Sequence, residues 1–320
     1  MLNPVRDQAE GLRRLLGRQG LQVLRLNSAR RGVGKTSCAV NLAAALVEKG
    51  REVLILDENE DQGNVADCLG QPAYRNFLKV VQGQSELEKS IIRIADISLL
   101  PAACGMAELA RLSHENRLRL SDTLTACRLD YDVVIIDAVA GSSSRLLPLA
   151  LRNQEEILVV TGSVASITDT YAFIKGATAE CGKRSYRVLM SKVRNEQQAR
   201  ALFRNMADAA KRYLGVELEL MGMIPPDDSV KRAAGMGLPV LKAFPDSSAA
   251  TVFRRLGMTV SEWPRPEGSS DMAVFLHGLV RCVASGIPDC EKESPGMWHA
   301  PHGTGSMRTR TAGMEISLTS

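Results

Sequence analysis

Seven short apolar runs divide this chain, and helical patterns fill the gaps between them. The runs are LQVLRL (21–26), EVLILD (52–57), DISLLP (96–101), YDVVIID (131–137), EILVVT (156–161), YRVLMS (186–191) and LELMGMI (218–224). Each is continuously apolar rather than alternating, which is the pattern of strands covered on both faces. Helices are predicted over 36–50, 108–128, 167–182 and 196–215. Strand–helix repetition of this kind predicts an α/β fold, a doubly wound, mostly parallel sheet with helices on both faces and right-handed crossovers. At 320 residues, 45% hydrophobic, the chain is long enough for one large domain of this class. Such sheets bind ligands at the carboxyl ends of their strands, so the residues that follow the runs carry the functional signal.

The first run leads into LNSARRGVGKTS (26–37) and then into a helix. In this strand–loop–helix context, G-x-G-K-T marks a phosphate cradle. Backbone N–H groups from Arg31 through Gly32, Val33, Gly34, Lys35, Thr36 and Ser37 are expected to wrap phosphate oxygens at the positive end of the helix. Lys35 is expected on the β and γ phosphates and Thr36 on Mg²⁺. Asp57 and Asp137 each end a strand on the same side, where Mg²⁺ and its waters need carboxylates. Gly141, in D-A-V-A-G (137–141), would let a backbone N–H approach a γ phosphate.

Together these motifs resemble the MinD/ParA ATPases. The match includes the loop, V-L-x-L-D, D-x-x-A-G (137–141), S-I-T-D-x-Y-A-x-I-K (166–175), G-M-I-P-x-D (222–227) and V-x-x-A (230–233). Within that group the chain is most similar to the flagellar-number regulators (FlhG/FleN). They share an N-terminal D-Q-A-x-x-L-R element, here Asp7, Gln8, Ala9, Leu12 and Arg13, and W-P-x-P, here Trp263, Pro264 and Pro266. The resemblance spans about residues 5–285.

The resemblance implies a P-loop switch that binds ATP or ADP with Mg²⁺, closes a homodimer on ATP and resets on hydrolysis. The family loop reads G-K-G-G-x-G-K-T, and its first lysine reaches across the dimer; Arg30 stands there, with a different fork and reach. Ala29 and Arg31 replace glycines, which would add about 1 kcal/mol of strain each at positive φ. The family's Asp-x-Asp reads Asp57-Glu58-Asn59, so Asn59 stands where a carboxylate places the attacking water. Hydrolysis is therefore expected to be slow, since phosphoryl transfer depends on positioning and electrostatics. Glu58 points the wrong way to substitute if the strand geometry persists. Ser191 takes the place of the asparagine that reads adenine, with Pro225 and Asp227 as neighbours of the base.

Four regions are expected: an N-terminal helix (1–18), the P-loop domain (19–262), an amphipathic helix region (263–286) and a disordered tail (287–320), rich in Pro, Gly, Ser and Thr. By resemblance, the N-terminal helix docks a signal-recognition-type GTPase (FlhF) and stimulates it through Gln8, a suitable water-positioning group. Val5, Ala9, Leu12, Leu15 and Leu16 also suit a simple amphipathic cap. In 271–283, Met272, Phe275, Leu276, Leu279, Val280 and Val283 share one face, which fits either an ATP-gated membrane-surface helix or a closing helix of the core. Further implied partners are a flagellar transcription regulator or a C-ring component.

The charge of +4 is too mild, and too dispersed, to argue for nucleic acid. That weighs against a DNA-partitioning role. Seven scattered cysteines without a C-x-x-C pair read as reduced, mostly buried thiols, with no metal or cluster set. Without a signal segment or membrane span, the expected location is cytoplasmic, with peripheral contact at the inner membrane. A scaffold that recruits the GTPase without catalysing hydrolysis is the alternative reading.

Overall fold

All seven apolar runs form strands, and all seven lie parallel in one sheet. A computed structural model describes residues 20–60, 62–71, 76–127, 129–141, 154–265 and 271–284. The strands are β1 (Gln22–Asn27), β2 (Val53–Asp57), β3 (Ile92–Ile94), β4 (Ile97–Pro101), β5 (Val133–Asp137), β6 (Gln154–Thr161), β7 (Ser185–Ser191) and β8 (Glu217–Met223). Their order is β3-β4-β2-β5-β1-β6-β7-β8. Only β3 is antiparallel, and the sequence pattern did not reveal it. It is three residues long and turns back through Ala95 and Asp96, both at positive φ. That is hairpin geometry without the Asn-Gly or Gly-Gly signal that usually announces it.

The helices are α1 (Lys35–Glu48), α2 (Val65–Cys68), α3 (Asn76–Val81), α4 (Leu87–Ser90), α5 (Ala103–Leu109), α6 (His114–Ala126), α7 (Val164–Cys181), α8 (Glu196–Leu214), α9 (Asp228–Gly235), α10 (Val240–Ala243), α11 (Ser248–Glu262) and α12 (Met272–Ala284). The single helix predicted over 108–128 is in fact two. Ser113 accepts the N–H of Asn116 and starts α6 afresh, as N-cap serines do.

Successive strand residues feed opposite cores. Leu24, Leu26, Val133, Ile135, Ile157 and Val159 pack with α1 and α11. There Gly257 lies so close to Ala45 that a Cβ would come within 2.9 Å. Leu54, Leu56, Val134 and Ile136 pack with α5, α6 and α12, while α7 and α8 cover the β6–β8 end.

In α12, Met272, Phe275, Leu276, Leu279 and Val280 are all buried in this second core. His277 Nδ1 and the hydroxyl of Ser121 are hydrogen-bonded at 2.7 Å, tying α12 to α6. The helix therefore closes the core, and its apolar face is covered in this structure. The side chain of Val283, the N-terminal helix with Asp7, Gln8, Ala9, Leu12 and Arg13, and the 287–320 tail lie outside the described residues. No described helix is long and apolar enough to cross a membrane. Of the four cysteines whose side chains are described, Cys38 is buried, while Cys68, Cys104 and Cys127 are half-buried.

Candidate functional site

The loop between β1 and α1 is held open by its own carbonyls. Ser28 Oγ donates to the carbonyl of Arg30 at 2.8 Å, and Lys192 Nζ donates to that of Gly32 at 2.7 Å. Ser191 Oγ donates to the carbonyl of Val33. With these carbonyls satisfied from outside, the N–H groups are left to form a nest at the start of α1. Gly32 and Gly34 have φ of 76° and 95°, which side-chain-bearing residues adopt only with strain. Ala29, Arg30 and Arg31 keep negative φ: among the described residues, positive φ outside glycine occurs at Ala95, Asp96 and Lys192 alone. The anticipated strain at Ala29 and Arg31 is therefore absent.

At the N-terminus of α1, Gly34 offers no side-chain cap, and no acidic residue sits in the first turn. That end of the helix is chemically suited to an anion. Ser37 lies half-buried in that first turn.

Asp57 and Asp137 face each other in register at the ends of β2 and β5. Lys35, only 7% exposed, forms an ion pair with the fully buried Asp137. Thr36 Oγ1 donates to Asp137 Oδ2 at 2.7 Å. Asn59 Nδ2 lies 3.0 Å from Asp57 Oδ1 and 2.9 Å from Asp137 Oδ2. Asp57 also accepts the N–H groups of Asn59 and Val65. Burial, and then the charge of Asp137, still push its carboxyl up to about 6. Two buried carboxylates, a threonine hydroxyl and a phosphate nest form a donor set that fits Mg²⁺ bound to a phosphate. Among the described residues no cluster of three His, Cys, Asp or Glu could hold a metal unaided, so phosphate oxygens would complete the coordination.

Glu58 does not join this group. It is 3% exposed, its carboxylate is not bonded to Asp57 or Asp137, and Arg25 is the largest charge acting on it. Burial raises its pKa, while Arg25 and the N–H of Val139 act to lower it. Gly141, at φ 74°, donates its N–H to the carbonyl of Ser28 at 2.7 Å, so it is tied to the loop rather than aimed at a phosphate.

Two base-side residues also occupy unexpected positions. The Ser191 hydroxyl is engaged by the loop. Asp227 accepts from Ser229 N, Ser248 Oγ and Ala249 N, capping α9 and steadying the start of α11. Pro225 stays half-buried beyond β8, where Val193 N donates to the carbonyl of Ile224 at 2.9 Å. Sequence reasoning missed Lys192 beside Ser191, although it immediately follows a strand end. It also gave no role to Asp169, which pairs with Arg30 at 3.1 Å.

Comparison with known proteins agrees with this geometry. Residues 21–175 match an AAA domain family model. The antiactivator FleN of Pseudomonas aeruginosa is 32% identical over 83% of this chain and 96% of its own length. The chain belongs to the FlhG/FleN branch of the MinD/ParA P-loop family. The flagellum site-determining protein YlxH of Helicobacter pylori is 25% identical over 65% of this chain and 70% of its own. The septum site-determining protein MinD of Pyrococcus horikoshii, solved with Mg-ADP, superposes with a TM-score of 0.53. It covers 76% of this chain and 96% of its own at 21% identity, and so speaks for the fold alone.

Proposed function

We propose that this FleN-type protein is a nucleotide-driven switch in the control of flagellar number or placement. It binds ATP and ADP with Mg²⁺, pairs with a second copy when ATP is bound, and hydrolyses ATP slowly. The observation that carries the reading is the convergence of Lys35, Thr36, Asp57 and Asp137 on one carboxylate centre beside the phosphate nest.

Thr36 and Asp57 would hold a Mg²⁺ ion, with Asp137 behind them, and the ion would neutralise phosphate charge. Lys35, paired with Asp137 in this structure, would turn to the phosphates when a nucleotide binds. Gly32, Val33, Gly34 and Thr36 orient the phosphates through their N–H groups. Arg30, half exposed on the loop, is the group that reaches the partner's nucleotide. Asn59, its amide nitrogen committed to Asp57 and Asp137, could accept a water's hydrogen bond only through its carbonyl and could take no proton from it, which supports slow turnover.

A second reading keeps the protein as a scaffold that recruits a signal-recognition-type GTPase through Asp7, Gln8, Ala9, Leu12 and Arg13 without hydrolysing ATP itself. The commitment of the Asn59 amide to two carboxylates favours it. A flagellar transcription regulator or C-ring component remains the proposed downstream partner. Peripheral membrane contact would require α12 to leave the core that covers its apolar face. Sedimentation with and without ATP and Mg²⁺ separates the readings: a switch dimerises only with ATP, whereas an unresponsive scaffold keeps one mass throughout.

A further inference from the structure

Lys192 is an exposed lysine in a left-handed backbone conformation, φ 56°, directly beside the phosphate loop. For a non-glycine residue that conformation is strained and persists only where its surroundings enforce it. Here the enforcement comes from both neighbours. Ser191 turns its hydroxyl inward to the carbonyl of Val33, and Val193 is buried and bonded to the carbonyl of Ile224. The twist between them carries the Lys192 side chain over the loop. Its ammonium bonds the carbonyl of Gly32 at 2.7 Å, and its Cε lies 3.9 Å from where a Cβ on Gly34 would be. Holding an exposed lysine this way costs side-chain entropy.

The sheet order decides which side of the loop faces the base. On the β5–β2 side stand Asp57, Asn59 and Asp137, the cation-binding side. The opposite side, toward β7 and β8, presents Ser191, Lys192 and Pro225. A nucleotide with its phosphates in the nest and its cation on the acidic side lays its base toward β7.

Discrimination between adenine and guanine at the Hoogsteen edge needs groups matched to N6–H₂ or O6; a carboxamide does this for adenine by pairing with N6 and N7. Among Ser191, Lys192, Pro225 and Asp227, the described residues on this side, there is no carboxamide. The Ser191 hydroxyl is engaged, and the Asp227 carboxylate is consumed by Ser229, Ser248 and Ala249. Lys192 offers a cation for a ring face and spare donors for N7, an acceptor that both purines share.

We propose that Lys192 forms the base-side contact of the nucleotide site, and that the site accepts adenine and guanine nucleotides alike. The inference rests on the phosphate-site reading above. Competition against a fluorescent ATP analogue with Mg²⁺ tests it, using ATP, GTP, CTP and tripolyphosphate, which has no base. With wild-type protein, ATP and GTP should compete within about threefold of each other and CTP about fivefold less well. Lys192→Ala should weaken ATP and GTP at least about fivefold more than it weakens tripolyphosphate, whose loss reads the loop contact to Gly32 alone.

A wild-type preference for ATP of about a hundredfold or more, or an unaltered Lys192→Ala protein, would overturn the proposal. Equal weakening of tripolyphosphate by Lys192→Ala would reduce the residue to a brace for the loop and also overturn it. Failure of every nucleotide and of tripolyphosphate to bind the folded wild-type protein would instead overturn the phosphate-site reading, and this inference with it. Tripolyphosphate binding is what distinguishes the two failures.

Discussion

The Asn59 side-chain amide bridges the carboxylates of Asp57 and Asp137, at 3.0 and 2.9 Å. A donor is what two buried acids on adjacent strands require. An aspartate here would place a third negative charge against the other two and forfeit the bridge, while restoring a group that can take a proton from water. Asn59→Asp should therefore destabilise the nucleotide-free protein by about 2–3 kcal/mol, with Mg²⁺ recovering part of the loss. It should also accelerate single-turnover ATP hydrolysis by at least about tenfold. Thermal melts with and without Mg²⁺, beside rapid-quench hydrolysis, check both outcomes.

Lys35 and Asp137 form a buried ion pair, and removing one member leaves the other uncompensated. Lys35→Met should cost about 3 kcal/mol in urea unfolding and abolish nucleotide binding. Adding Asp137→Asn should recover part of the stability but none of the binding. A double-mutant cycle measures this coupling directly.

Arg30 and Asp169 pair at the surface, half exposed, so the bond itself contributes only about 0–1 kcal/mol. Its consequence is to hold Arg30 on its own subunit. Asp169→Ala should change stability by less than about 0.5 kcal/mol while strengthening ATP-dependent self-association. Arg30→Ala should abolish that association. Analytical ultracentrifugation reads both; weaker association of the Asp169 variant would show that the pair does not restrain Arg30.

Asp227 is a structural cap. Burial acts to raise its pKa, but hydrogen bonds from Ala249, Ser229 and Ser248 outweigh it and bring the carboxyl from 3.8 to about 2. A depressed carboxyl pKa stabilises the fold above the unfolded value. That contribution is lost as the pH falls from about 4 toward 2. Asp227→Ala should cost about 1–2 kcal/mol at pH 7, and its deficit should shrink across that acid window. Chemical denaturation at pH 7, 4 and 2.5 follows the change.

What was legible in the sequence depended on local pattern. Runs buried on both faces gave seven strands. The loop was readable because β1, Gly32, Gly34 and the start of α1 are contiguous, and Asp57 and Asp137 because each ends a strand. What escaped depends on contacts made by folding. The β3 return uses Ala95 and Asp96 where glycine or asparagine would have signalled a turn. The break at Ser113 is a single side-chain bond within an otherwise helical pattern. Asp227 reaches Ser248 across 21 positions. Ser191 is buried under a loop 158 residues away, so alignment alone placed it at the base.

The most direct test of the central claim is titration of the wild-type protein with a fluorescent ATP analogue and Mg²⁺, followed by single-turnover product analysis on the same complex. A Mg²⁺-dependent complex that is lost in Lys35→Ala, and that turns over at about 10⁻³ s⁻¹ or less, is the predicted result. Binding that is indifferent to Lys35, or turnover on the order of 1 s⁻¹, would contradict it.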